Sequence, residues 1–365
     1  MLVLSLLVTT TCTALSVMPG EKLVRANASH FPPLEFRFKY YLGKQDGCPK
    51  PKNIGFRAAG DHLFLYPCGI ELPFPCEECT SGIKDLAGGN YARDLAQLCE
   101  HTPLKLALPV TLGDGLTRWQ SVVGKARSVG GCGALMPLNT PRHWPTVPSL
   151  SDWLFNSSTP STRECRIHEC LRDEPAAFRR LLVPNAVPWS QKKRELTWRG
   201  ATTGLRSSTR KDYVHALGRS HDVGFAKVVQ GKQNWANESW MVKGKMSPEE
   251  MLHYRYLLSL EGNDVATDLK WKLSSNSLVI MPPPTKETWL MEGLLQPWVH
   301  YVPLRKPSDI EATLAWLDRN DDACLRMIAN ANDWMKNILQ PADITPLMKL
   351  LRPPRTRLVN RLRRR

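Results

Sequence analysis

Three short stretches in the second half of the chain carry side chains suited to holding an anion: Trp198-Arg199-Gly200-Ala201-Thr202-Thr203-Gly204, Glu261-Gly262-Asn263-Asp264, and the run around Glu292. In the first, glycine lets backbone approach a phosphate, Thr202 and Thr203 offer hydroxyl donors, and Arg199, Arg206 and Arg210 offer charge. The second ends an apolar run and is expected to open a helix whose free amides meet an anion. Asn263, Asp264, Thr267 and Lys270 then flank the anion, and Glu292 is suited to accept hydroxyls from a ribose or a sugar. A diphosphate fits this set, and a diphosphate that leaves gains negative charge. Cations held there stabilise the transition state more than the ground state. Taken singly, each arginine also reads as a solvated surface charge, and Glu292 as an exposed helix residue.

A leaving group implies a nucleophile. An acceptor hydroxyl is a weak one at neutral pH, so direct displacement needs a carboxylate within hydrogen-bond reach of its proton. Asp114 closes the apolar run of Leu104 to Asp114 (LKLALPVTLGD) and is the candidate base; the plainer reading is a turn aspartate that caps a helix. Asp152, in Ser151-Asp152-Trp153, is the second candidate. The chain has no Asp-x-Asp, the carboxylate pair with which many transferases hold a divalent ion.

The elements that must position these residues follow from period and punctuation. Ser247-Pro248-Glu249-Glu250 starts a helix, since the serine caps an orphan amide, proline suits the first position and acids favour the positive end. That helix is expected to run through Arg255, with Tyr256 to Leu260 as a buried strand and Asp264 capping the next helix. Ser277 to Met281 is a second strand, ended by three prolines. Thr285 is expected to cap a third helix bearing Trp289, Leu290, Leu294 and Leu295, followed by a strand over Val299 to Leu304 that holds His300 and Tyr301 as packing residues. Ser308-Asp309 opens a last helix pair, through Leu317 and through Leu339. Apolar strands that alternate with helices imply right-handed crossovers and a parallel sheet covered on both faces, half of a doubly wound fold. Such sheets bind ligands beyond the carboxyl ends of their strands. In the first half, Leu104 to Asp114 and Ala134 to Pro137 read as two strands of a weaker βα pattern.

Taken together, WRGATTG, EGNDVAT-x-LKW, SNS-x-x-x-MP and WLMEG-x-x-x-PWVHYVPL, in this order, resemble glycosyltransferase family 90. That family holds capsule-associated proteins and protein O-glucosyltransferases, and the likeness, from roughly Pro109 to Leu339, is greatest to its bacterial lipopolysaccharide-modifying branch. The resemblance implies an α/β fold of the GT-B type, with two Rossmann-like doubly wound domains facing a cleft. It implies a UDP-sugar donor held mostly by the C-terminal domain; glucose or xylose is the expected sugar. It also implies no catalytic metal, inversion at the anomeric carbon, and a protein or glycan acceptor. The family's base is an aspartate that ends a strand some eighty residues before the RG motif, and Asp114 matches that order. One departure is that the O-glucosyltransferase branch offers serine and arginine to the nucleotide where this chain has Ala266 and Asp268. An acid there repels a diphosphate, which leaves Asn263, Thr267, Lys270 or the amides to bind it.

Length and composition set the frame. A chain of 365 residues suits two domains. Residues 18–188 are assigned to an N-terminal acceptor and base domain with a polar insertion over 151–177, and residues 189–340 to a nucleotide-sugar domain. The apolar run from Met1 to Val17 reads as a secretory signal, with a short signal anchor or a buried first strand as alternatives. Ten cysteines and sequons at Asn27, Asn156 and Asn237 fit an endoplasmic reticulum or Golgi lumen, with disulfides expected. A zinc site on Cys76 and Cys79, completed by Cys68 and Cys99, is the competing reading of those thiols. Residues 341–365 form a basic tail, and its stretch from Arg352 holds seven arginines, about half of the net charge of +15. Such a tail suits contact with an anionic membrane surface. No aromatic-interleaved basic patch points to nucleic acid. The competing functional class is a catalytically idle relative that binds a glycan or nucleotide.

Overall fold

A computed structural model describes residues 30–50, 63–68, 99, 105–111, 116–135, 187–204, 209–230, 236–338 and 345–351. The apolar run from Met1 to Val17, the sequons at Asn27 and Asn156, Cys76, Cys79, Asp114, Asp152, Arg206, the polar stretch over 151–177 and the arginine-rich tail lie outside them.

The first half contributes helix α1 (Leu34–Leu42) and strands β1 (Leu63–Cys68), β2 (Leu106–Thr111), β3 (Val123–Gly124), β4 (Arg127–Ser128) and β5 (Ala134–Leu135). Four of the strands form one sheet in the order β1-β2-β3-β5. β1 runs antiparallel to β2, while β3 is parallel to both β2 and β5. Both expected strands are present, as β2 and β5. Residues 116–135 between them hold short strands and turns rather than a helix. Disulfides join Cys48 to Cys132 and Cys68 to Cys99, fastening the α1 segment and β1 to the rest of this half. The second bond removes the proposed second pair of zinc ligands.

The second half holds β6 (Lys193–Ala201), α2 (Thr209–Leu217), β7 (Asp222–Lys227), α3 (Pro248–Met251), β8 (Tyr254–Leu258), α4 (Leu269–Leu273), β9 (Leu278–Met281), β10 (Lys286–Glu287), β11 (Val302–Pro303), α5 (Ile310–Leu317), α6 (Asp321–Ile338) and α7 (Thr345–Leu350). Among the described residues, five of its strands make a sheet in the order β11-β9-β8-β6-β7, every neighbouring pair parallel. The chain moves outward from β6 to β7, then returns past β6 to β8 and continues the other way. That reversal is the switch point of a doubly wound sheet, so the parallel α/β expectation holds.

Alternation along the strands divides the core. Tyr256, Leu258, Leu278 and Ile280 join one cluster with Val214 and Leu217 of α2 and Leu314 of α5. Leu257, Val279 and Met281 face the other way, into a cluster that also takes Leu108, Val110, Val123 and Leu135 of the first half. Side chains of period two are thus buried on both faces, which is why these strands read as unbroken apolar runs.

Several boundaries differ from expectation. α3 begins as read, with a capping box: the Glu250 N–H donates to Ser247 Oγ (3.1 Å) and the Ser247 N–H to Glu250 Oε2 (2.6 Å). It stops at Met251 because the chain enters β8 at Tyr254. The helix after Gly262 starts only at Leu269, so no helix N-terminus lies at Asn263, and Asp264 caps none. The helix expected from Thr285 is absent: Lys286 and Glu287 pair antiparallel with Ser128 and Arg127. Met291 takes a left-handed backbone (φ 58) before a single 3-10 turn over Glu292–Leu294. Propensity favoured the helix, but a partner strand and a buried ion pair overrode it.

That ion pair links the halves. Arg127 Nε donates to Glu287 Oε1 (2.7 Å), its Nη1 to the carbonyls of Tyr41 (3.2 Å) and Gly133 (2.9 Å), and its Nη2 to the Tyr40 carbonyl (2.5 Å). Tyr40 donates its hydroxyl to Glu287 Oε2, and burial together with this bond raises the phenol far above its usual pKa. Arg127 and Glu287 are both buried. His300, also buried, accepts the Gln296 N–H at Nδ1 (2.9 Å) and packs edge-on to Trp334 (5.1 Å), and Tyr301 is buried beside it.

Arg127→Met leaves Glu287 buried without its cation, and a loss of about 3–5 kcal/mol in the denaturant midpoint analysis is expected. Arg127→Met/Glu287→Gln should recover part of that loss. Burial pushes the His300 imidazole down to about 4 from 6.5. The unfolded chain therefore binds the extra proton between these values, and the stability that neutral His300 contributes above pH 6.5 is lost as pH falls toward 4. His300→Gln should flatten the fall in unfolding temperature over that window, a difference of up to about 3 kcal/mol at the acid end.

Candidate active site at the switch point

The strands on either side of the reversal end in the two glycine turns singled out by sequence. The Gly204 N–H donates to Asn263 Oδ1 (2.9 Å). A Cβ on Gly262 would stand 2.9 Å from Thr203 Oγ1 and 3.1 Å from Arg210 Nη2, and one on Gly204 (φ +80) would stand 2.9 Å from the Gly262 carbonyl carbon. The two turns therefore touch backbone to backbone. Gly200 has a different reason: a Cβ there would meet the Trp198 indole at 2.3 Å, so it makes room for a ring rather than for a phosphate.

Arg210, in the first turn of α2, stitches the turns together. Its Nη1 donates to the Ala201 carbonyl (3.0 Å) and to Thr203 Oγ1 (2.5 Å), while Nε and Nη2 donate to the Leu260 carbonyl (3.2 and 2.9 Å). The guanidinium lies over the Trp198 ring, 5.5 Å from its centroid. Burial lowers its pKa, against which Asp268, Asp264 and Glu261 act. Thr202 is turned to the next loop, accepting the Val229 and Gln230 N–H groups (2.9 and 3.1 Å).

Beside these turns a cavity of ≈ 180 Å³ opens over the carboxyl ends of β8 and β9. Val265, Ala266, Leu269, Met281 and Pro282–Pro284 give it apolar walls, and Thr209, Ser259, Glu261, Thr285, Lys286 and Glu292 give it polar ones.

The acids around the cavity each hold a cation. Lys125 pairs with Asp264 (2.6 Å), Lys270 with Glu292 (3.2 Å), Lys272 with Asp268 (2.5 Å) and Lys286 with Glu261 (3.3 Å). Asp268 also accepts the Ser259 hydroxyl (2.9 Å), so the acid expected to repel a diphosphate is neutralised. Glu292 further accepts the Thr288 N–H (2.6 Å) and hydroxyl (2.9 Å). Glu261 accepts the N–H groups of Thr285 (2.8 Å) and Lys286 (3.0 Å). Among the described residues, Arg210 is in no ion pair. Also among them, no three His, Cys, Asp or Glu side chains converge as metal ligands.

The model of glycosyl transferase family 90 matches residues 166–353, a stretch that spans all of these turns. The chain belongs to glycosyl transferase family 90.

Its family 90 relatives include O-glucosyltransferase LpsA of Dichelobacter nodosus, 40% identical over 198 residues, covering 54% of this chain and 59% of that protein. Protein O-glucosyltransferase 1 of Homo sapiens is 27% identical over 180 residues, covering 46% and 43%. The chain thus spans less than two thirds of the length of these curated relatives. A solved alpha1,3-fucosyltransferase with GDP aligns at 12% identity and a TM-score of 0.40, over 78% of this chain and 89% of that one.

Of the residues that sequence brought forward, the structure gathers Thr203, Gly204, Arg210, Gly262 and Asn263 at the switch point and sets Glu292 in the cavity wall. Arg199 goes elsewhere. It leans back along the sheet, donating to the Asp222 carbonyl (2.7 Å) and Oδ1 (2.5 Å) at the start of β7. Burial opposes ionisation of Asp222, but hydrogen bonds from Arg199 and Tyr254 outweigh it and hold that carboxyl below its usual pKa. Thr267, half-buried, precedes α4. Sequence reading missed Lys286 and Lys125. The first follows the prolines that end β9 and so could have been found; the second reaches the turn from the other half and carries no local signal.

Gly262→Ala must push Thr203 and Arg210 apart. A loss of about 1–3 kcal/mol is expected in chemical denaturation, where a tolerated turn would show none.

Proposed function

We propose that the chain is an inverting, metal-independent glycosyltransferase that moves a sugar, glucose or xylose, from a UDP-sugar to a hydroxyl of a protein or glycan. The observation that carries this reading is the charge balance at the switch point. Each nearby acid has its own lysine, and Arg210 remains as a half-buried cation whose bonds go to neutral oxygens. Of its five N–H groups four are engaged, and the remaining Nη2 hydrogen has no acceptor among the described residues. Thr209, which opens α2, lines the cavity, so first-turn amides add partial positive charge there. A diphosphate suits that corner, with Lys286 beside it and the nucleoside against Val265, Leu269 and Pro282. Asn263 and Thr267, in the turn, and Lys270, in α4 just after it, support the same reading, Lys270 by holding Glu292 for a sugar or ribose hydroxyl.

Asp114 is the proposed base. It stands three residues beyond Thr111, which ends β2 and whose Cγ2 would lie 3.0 Å from a Cβ on Gly124, the neighbour of Lys125. Lys125 in turn forms an ion pair with Asp264 at the donor turn. In the reaction the carboxylate takes the acceptor proton, the acceptor oxygen bonds to the anomeric carbon from the face opposite the diphosphate, and UDP departs with the electron pair. Arg210 and the α2 amides meet the charge as it grows. A two-domain GT-B arrangement accords with the separate sheets of the halves. The disulfides accord with a secretory lumen, and among the described residues no helix is long and apolar enough to cross a membrane. The idle-relative reading draws on Asp264 and Glu292, both bonded to lysines.

Purified full-length protein screened against UDP-sugars with EDTA present should hydrolyse or transfer at least one. Asp114→Asn should cost about 100- to 10,000-fold in turnover with UDP affinity kept, and Arg210→Lys should weaken UDP binding. UDP binding without turnover on any donor leaves the idle relative, and no UDP binding overturns the enzyme reading and leaves only a glycan-binding relative.

A further inference from the structure

Lys125 and Arg127 stand two residues apart in the first half, and both cross to acids of the second. Arg127 takes Glu287 at the strand pair, whereas Lys125 takes Asp264 inside the turn that links β8 to α4. Lys125 and Asp264 are both buried. Neither lines the cavity, but the residues that follow Asp264, Val265 and Ala266, form its wall. Asp264 is also near enough to Arg210 to act on its charge. An Asp264 carboxylate without its lysine would sit in a buried turn next to the switch point, drawing on Arg210 and opposing any anion placed there.

We propose that Lys125 is a positioning residue for donor binding: from the opposite half of the molecule it neutralises Asp264, keeping the field of Arg210 available to the anion and the turn in place as the cavity wall. The donor site is therefore incomplete without the sheet of the first half. This inference rests on the UDP-sugar reading above. It adds that a lysine which touches no donor atom sets donor affinity, acting through an acid that touches none either.

The test is calorimetric titration of the full chain with UDP, with the steady-state KM for the donor and kcat as a second readout. Lys125→Met should weaken UDP at least tenfold and raise KM for the donor in proportion, with kcat at saturating donor within about threefold of wild type. Lys125→Met/Asp264→Asn, which removes both charges, should restore UDP affinity to within about threefold, because the harm comes from the bare acid. Asp264→Asn alone should bind UDP at least as well as wild type, and it tests the idea even where Lys125→Met does not fold. Wild-type affinity in Lys125→Met overturns the inference, as does a double variant as weak as the single, which would make Lys125 a donor contact. Weakened binding in Asp264→Asn overturns it too. A wild-type chain that binds no UDP overturns the functional reading, and this one with it.

Discussion

A buried arginine that has left water must find acceptors for its donors, and Arg127 finds them in both halves of the chain: carbonyls of Tyr40, Tyr41 and Gly133 on one side and Glu287 on the other. Desolvating both charges is costly, and their attraction offsets that cost only if the geometry is held on every side. Much of the local structure follows from this constraint. It pulls Lys286 and Glu287 into a strand pair, turns the following chain at Met291, and presses Tyr40 of α1 against the second half. The shared hydrophobic cluster behind the pair, from Leu108 and Val123 to Trp289 and Tyr301, keeps water from competing for those hydrogen bonds.

The parallel sheet has a different job. Its strand order reverses between β6 and β8, the place where a parallel sheet opens a crevice, and among the described residues all five strands present their carboxyl ends on the same side. Gly204 and Gly262 let the two bordering turns close on each other, and Arg210 ties them through carbonyls of both strands. Glycine here buys proximity, and the arginine supplies a positive charge in a place where main chain alone would present carbonyl oxygens.

Around that arginine the pairing of acids with lysines is one to one. Such pairs contribute little net stability when compared with apolar packing, yet they decide where charge is left over. Under the proposed function the remaining charge has a use, since a departing nucleoside diphosphate would need a cation that no protein acid has claimed.

By itself the sequence determined the elements whose signals are local: the capping box at Ser247, the apolar strands β8 and β9, the prolines that end β9, the last helix pair, and the two glycine turns at the strand ends. Their hydrogen bonds and burial depend on residues close by, so pattern alone identifies them. Tertiary structure decided which charges meet. Arg199 and Arg210 stand in similar company in the sequence, but β6 sends the first back to Asp222, while the first turn of α2 aims the second at the crevice. Lys270, Asp264 and Glu292 read as ligand contacts until their partners appear, and the helix expected after Thr285 gives way to a strand because Arg127 lies across from Glu287. The physical reason is common to all of these: an ion pair is a property of two positions far apart in the chain, and only the folded backbone brings them within 4 Å.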